Sequence, residues 1–217
     1  MIYIEKKSEP TSLRLQRETP GADFDSLDKR SLRKSLLEEQ GYLCAYCMKR
    51  IREDKSVKIE HYHARNSENQ MDYENLLAVC TGNQTLRDDK GKVQRDRFTC
   101  DSCKGEKELH INPQSKYDMK TIKYTNSGFI QSSREDFQND IDYILNLNDV
   151  HGHLIRNREH ALKPIISRLH KLRKGQDAMP ILRKLEKYCN EKDECGKLPE
   201  YAGIMRWYVA KQIRKHS

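Results

Sequence analysis

The chain has 217 residues and a mass of 25.6 kDa, enough for one full domain and a smaller helical one. Only 35% of residues are hydrophobic and 34% are charged, which excludes a large apolar core and leaves room for a metal as a second stabilising device. Lys and Arg exceed Asp and Glu by 41 to 33, a net charge of +8 that fits a polyanionic partner or a plain solvated surface, and no run of apolar residues suits a membrane span.

The opening MIYIEKKSEP lacks the apolar core of a secretory signal, so a soluble, cytoplasmic protein without membrane contact is expected. Residues 1–25, with Pro10, Pro20 and Gly21, are expected to form an arm over the surface, with Ile2–Ile4 as a candidate strand. From Asp28, LDKRSLRKSLLEEQG places Leu32, Leu36 and Leu37 on one helical face and ends at Gly41 as a C′ glycine. Cys44-Ala45-Tyr46-Cys47 then makes a tight turn. After it Val57, Ile59 and His61 alternate with Lys58 and Glu60, the period of a strand, so Glu60 and His61 should point to opposite sides. YENLLAVC (73–80) is expected to begin a short helix with Asn75 near its N-terminus, and the polar, glycine-containing stretch 81–99 to be a loop.

From about Ser133 the pattern turns helical. Between His151 and Lys174 there are seven Lys or Arg against one Glu, while Leu162, Ile165, Ile166, Leu169 and Leu172 recur at helical spacing, so one face packs and the other is basic. Pro164 should begin a new helix or kink this one. Two further helices are predicted around Ile181–Tyr188 and Ile204–Ile213.

Seven cysteines with two CxxC spacings, in a reducing compartment, favour metal over disulfides. A CxxC turn supplies two ligands of a tetrahedral zinc, so Cys44 and Cys47 form one half-site, and the other must come from Cys80, Cys100 and Cys103. A thioredoxin-like redox pair would need a strand-to-helix context, whereas here a helix leads in and a strand follows. Cys189 and Cys195 read as ordinary free thiols. Zinc could compensate for a thin core, since structural sites contribute roughly 10–16 kcal/mol of apparent folding free energy.

The order Cys44-x-x-Cys47, Glu60-His61, Asn75, Cys80 and CDSCKG (100–105) resembles the HNH endonuclease family, the ββα-metal nucleases. More closely, LEEQGYLCAYC, IEHYHARN, YENLLAVC and CDSCKGE resemble the HNH subunit of the Septu antiphage system, a relative of which serves as a retron effector. The resemblance spans about Leu36 to Gly105. It implies an α+β fold with a zinc-braced ββα-metal HNH core (26–130), beside the N-terminal arm (1–25) and a C-terminal helical subdomain (131–217) whose apolar faces, more than so small a core can bury, are expected to dock a partner.

The resemblance also assigns roles. His61 would be the general base, as suits an imidazole near neutral pH. Glu60 would be a ligand of a catalytic Mg²⁺ or Mn²⁺, Asn75 would orient the base, and Asp101 would take the third position of the pattern as a second carboxylate on the metal. It places Cys80 and Cys100 with Cys44 and Cys47 on structural Zn²⁺, the alternative being a Cys100/Cys103 pair. The 19-residue gap between Cys80 and Cys100 departs from the compact module. Arg65 and Lys104 are candidate phosphate contacts or ordinary exposed cations; His63 and His110 are better explained as a surface and a strand residue. The implied activity is hydrolysis of DNA, or of tRNA or other RNA, by the toxic effector of a bacterial defence system. Its implied partners are an ABC/SMC-like ATPase and, in a retron setting, a reverse transcriptase with its RNA–DNA product. A catalytically inactive, zinc-stabilised binding module is the alternative.

Overall fold

A computed structural model describes residues 1–54, 57–149, 151–173 and 175–216. Among them the chain forms eight α-helices and two small antiparallel sheets, a mixed α and β fold. Lys174, the end of the basic stretch, lies outside the described residues. No described helix is long and apolar enough to cross a membrane.

The N-terminal segment packs inward. Ile2–Ile4 forms no strand; Ile4 N donates singly to Pro113 O (2.9 Å), and Met1, Ile4, Leu13 and Phe24 are buried in the core. Helix α1 (Thr11–Glu18) carries Leu13. Lys6 latches the segment to the sheet, its Nζ donating to Leu76 O (2.9 Å) and pairing with the buried Glu39 (3.3 Å). Leu13 and Phe24 were concealed because each stands singly among polar residues.

Helix α2 (Arg30–Glu39) buries Leu32, Leu36 and Leu37 as predicted, and Gly41 takes the left-handed conformation (φ +60°) that ends it. A Cβ at Gly41 would lie 2.6 Å from Leu198, so the close approach of the C-terminal part also demands glycine there. The chain then turns through the CxxC knuckle into β1 (Lys58–His61), which pairs antiparallel with β2 (Leu76–Val79) in the register Glu60 with Leu77 and His61 with Leu76.

The helix expected at 73–80 is a single 3₁₀ turn, Tyr73–Asn75, capped by Asp72, and the chain continues as β2. A short continuous apolar run fits a strand buried on both faces as well as a helix. Here Leu76, Leu77, Ala78 and Val79 are all buried, and Gln40 at the end of α2 clamps Ala78 through both its amide groups (2.7 and 2.8 Å).

Helix α3 (Asp101–Lys104) follows the 81–99 loop. Helix α4 (Lys116–Thr121) leads into a hairpin of β3 (Ile122–Tyr124) and β4 (Ile130–Ser132), which three-residue strands made illegible in the sequence. Helix α5 (Glu135–Asn139) runs into a π-helical turn at Asp140–Ile144. Helix α6 (His153–His170) continues through Pro164 instead of restarting there. Its inner face buries Arg158 with the leucines, the guanidinium donating to Gly128 O (2.6 Å) and Leu147 O (2.8 Å) at the hairpin. Helices α7 (Met179–Asn190) and α8 (Ala202–His216) match the two predicted near the C-terminus and pack on each other, and α8 also covers β3.

Candidate metal centre and carboxylate cluster

Four thiols converge. Cys44 and Cys47 come from the knuckle after α2, Cys80 follows β2, and Cys100 stands at the start of α3; their sulfurs all lie within 4.8 Å of one another. Cys44–Cys100, Cys47–Cys80 and Cys80–Cys100 are each 3.8 Å apart. A tetrahedral zinc with Zn–S bonds of about 2.3 Å separates its sulfurs by about 3.8 Å, so the four thiols fit that ion, whereas a disulfide would need about 2.05 Å. Hydrogen bonds from the thiols of Cys100, Cys44 and Cys47 pull the Cys80 thiol well below its ordinary range, and the same contacts with burial push Cys100 up. Cys103 stands outside, its thiol facing Tyr143 O at 3.8 Å, so Cys100 completes the set. Cys189 and Cys195 are free thiols, the first buried and the second exposed.

The same frame positions a carboxylate cluster. Tyr46 lies inside the CxxC turn and Asp101 directly follows Cys100, so both are carried by residues of the thiol set. Strand alternation turns Glu60 inward: its Oε1 accepts from Lys104 Nζ (2.8 Å) and from the Tyr46 hydroxyl (3.3 Å). Asp101 is within hydrogen-bonding reach of Glu60 and is ion-paired with Lys58. Burial, then the neighbouring Asp101, pushes Glu60 up to about 8, with Lys104 opposing. Burial also raises Asp101, but the hydrogen bond with Glu60 and the Lys58 ammonium outweigh it and hold the carboxyl below its ordinary range. Glu60 is therefore the weaker acid of the pair.

His61 faces the other side of β1 and is half-buried, with the Phe24 ring edge-on at 4.7 Å. Its Nε2 lies 3.0 Å from Gln70 O. A carbonyl only accepts, so Nε2 bears the proton and Nδ1 carries the lone pair. Burial holds the imidazole below its ordinary value.

Asn75 lies close by but meets the backbone two residues beyond His61. Its Oδ1 accepts from His63 N (2.7 Å) and its Nδ2 donates to His63 O (3.1 Å), which fixes the course of the chain leaving β1. The two candidate phosphate contacts are both engaged. Lys104 is 2% exposed and also donates to His61 O (3.2 Å), so it is an interior strut between Glu60 and the backbone of His61. Arg65 is at the surface in a two-pronged pair with Asp25 (2.9 and 2.8 Å). His63 is exposed against Glu108, and His110 pairs with the buried Asp140.

Sequence reasoning missed Lys58, Tyr46 and Gln70. Lys58 had a signal, since it lies two residues before Glu60 and so on the same strand face. Tyr46 was legible as the aromatic residue enclosed by the CxxC. Gln70 had none, because its backbone rather than its side chain makes the contact. No family model and no curated protein matches this chain.

Proposed function

We propose that this protein is a metal-dependent endonuclease of the HNH type that hydrolyses phosphodiester bonds in DNA, or in tRNA or another RNA. The observation that carries the proposal is the pairing of Glu60 and Asp101, with His61 on the opposite face of β1 and its Nε2 held by a carbonyl. Two neighbouring carboxyl groups are the oxygen donors a hard cation takes. Glu60 and Asp101 would hold Mg²⁺ or Mn²⁺, which supplies charge stabilisation at the scissile phosphate. His61 Nδ1 takes the proton from the attacking water while Gln70 O keeps the ring oriented through Nε2. Lys104 keeps Glu60 and the His61 backbone in fixed relation. Asn75 acts through the backbone at His63.

The motifs between Leu36 and Gly105 carry the further proposal of a toxic effector in a bacterial antiphage system, held by an ABC/SMC-like ATPase and, in a retron setting, by a reverse transcriptase with its RNA–DNA product. The test is purified protein incubated with plasmid, single-stranded DNA and tRNA plus Mg²⁺, next to a His61→Ala variant. Cleavage that the variant loses supports the assignment, and undiminished cleavage by the variant rejects the base.

One observation favours a second reading, a zinc-stabilised binding module without catalysis. Asp101 is already paired with Lys58 and Glu60 with Lys104. Absence of divalent-dependent cutting of every nucleic acid, with the ATPase present, would select it.

A further inference from the structure

A cleft of about 580 Å³ opens between the N-terminal segment, α4, β3 and α8. It is remote in sequence from the carboxylate cluster and is built differently. Its inner wall is apolar and aromatic, with Ile122, Tyr124 and Trp207. Its described lining also carries Lys116, Lys120, Lys123, Arg206 and Arg214, and no carboxylate. None of these five cations forms an ion pair among the described residues.

Like charges gathered around an apolar cleft create a positive potential that attracts an anion. Arg206 is fixed by donating to Cys189 O (2.8 Å), so at least one cation is pre-positioned. Lys211, outside the lining, places its Nζ 4.9 Å over the Trp207 ring. Lys116 lies 4.9 Å over the ring of Tyr3, which also lines the cleft.

We propose that this cleft binds an unpaired nucleotide of a single-stranded nucleic acid, its base against the aromatic wall and its flanking phosphates among the lysines and arginines. A nucleic acid strand joins a flat apolar ring to an anion at every residue, the combination the cleft presents in complement. An acidic peptide supplies the charge without the ring. The volume falls in the range of about 300–1,000 Å³ that holds one small ligand, which admits a single nucleotide and excludes a duplex. Binding here needs neither Glu60 nor His61, so it stands or falls separately from cleavage.

Trp207 is the only tryptophan in the chain and serves as the reporter. A short single-stranded oligonucleotide of mixed sequence is titrated into the full-length protein without added divalent cation, and the tryptophan emission is followed. Saturable quenching is expected, weakening as salt rises. The Lys120→Glu/Lys123→Glu variant changes two exposed residues and should melt like the parent while binding at least about tenfold more weakly. Should that pair melt early, Arg214→Glu serves the same comparison. Unchanged emission, or unchanged affinity in a folded variant, overturns the proposal. So does equal or tighter binding of the matching duplex, of poly-L-glutamate, or of anionic lipid vesicles, the last two pointing to an acidic protein and to a membrane surface respectively.

Discussion

Gly82 and Thr99 meet across the neck of the 81–99 loop: Thr99 N donates to Gly82 O at 3.1 Å, and a Cβ on Gly82 would stand 2.1 Å from Thr99 O. The contact closes the excursion that separates Cys80 from Cys100, and Gly82 makes it in a left-handed conformation (φ +53°) that favours glycine. Ser102 Oγ donating to Thr81 O (2.9 Å) and Asn83 Nδ2 to Arg97 O (2.9 Å) reinforce the neck. Gly82→Ala should therefore push the two cysteines apart. Zinc content by elemental analysis after dialysis should fall below that of the parent, whereas Gly91→Ala, at a glycine with open space around it, should retain the metal.

The thiol set separates two cysteines three residues apart. Cys100→Ser should lose zinc and unfold at much lower temperature, because structural zinc contributes on the order of 10 kcal/mol to such a fold. Cys103→Ser should keep one zinc per chain and melt like the parent. Loss of zinc in the second variant would show that the thiol frame is wrongly assigned.

Lys104 tests the interior strut. Its side chain is 1% exposed and that of Glu60 5%, so Lys104→Met strands a buried carboxyl beside Asp101. A loss of about 3 kcal/mol by urea unfolding is expected, at the lower end for a broken buried pair because Glu60 can hold a proton. The double variant Lys104→Met/Glu60→Gln should recover part of that loss, since no charge is then left unpaired.

The pH profile of cleavage tests the base. Burial lowers His61 from its ordinary value of 6.5, so the neutral imidazole persists into more acid solution than in a free histidine. Activity should fall as pH drops and the ring is protonated, with the midpoint of that acid limb below 6.5. A midpoint above 6.5 would assign the limb to another group.

Half of the metal frame was legible because its chemistry is local, a CxxC being a knuckle wherever it occurs; Cys80 and Cys100 came from the family resemblance, with Cys103 the open alternative. Helices α2, α7 and α8 were legible because their apolar residues recur at helical spacing over several turns. β2 was not, since four consecutive apolar residues carry no period, and tertiary burial between β1 and α2 decided the conformation. The fate of Lys104 was equally hidden. Nothing in CDSCKG distinguishes an ammonium that reaches solvent from one that turns inward to Glu60. The Cys80–Cys100 closure depended on Gly82 and Thr99, whose contact spans the whole loop and leaves no local trace.

The measurement that bears most directly on the central claim is Mg²⁺-dependent cleavage by zinc-loaded Glu60→Gln protein beside the parent, on plasmid, single-stranded DNA and tRNA. A glutamine of the same shape can still accept from Lys104 and Tyr46 through its carbonyl, so the variant should remain folded with its zinc content nearly unchanged while losing a donor the cation needs. The account predicts cleavage of at least one substrate by the parent and none by this folded variant. Equal cleavage by the two proteins would contradict it.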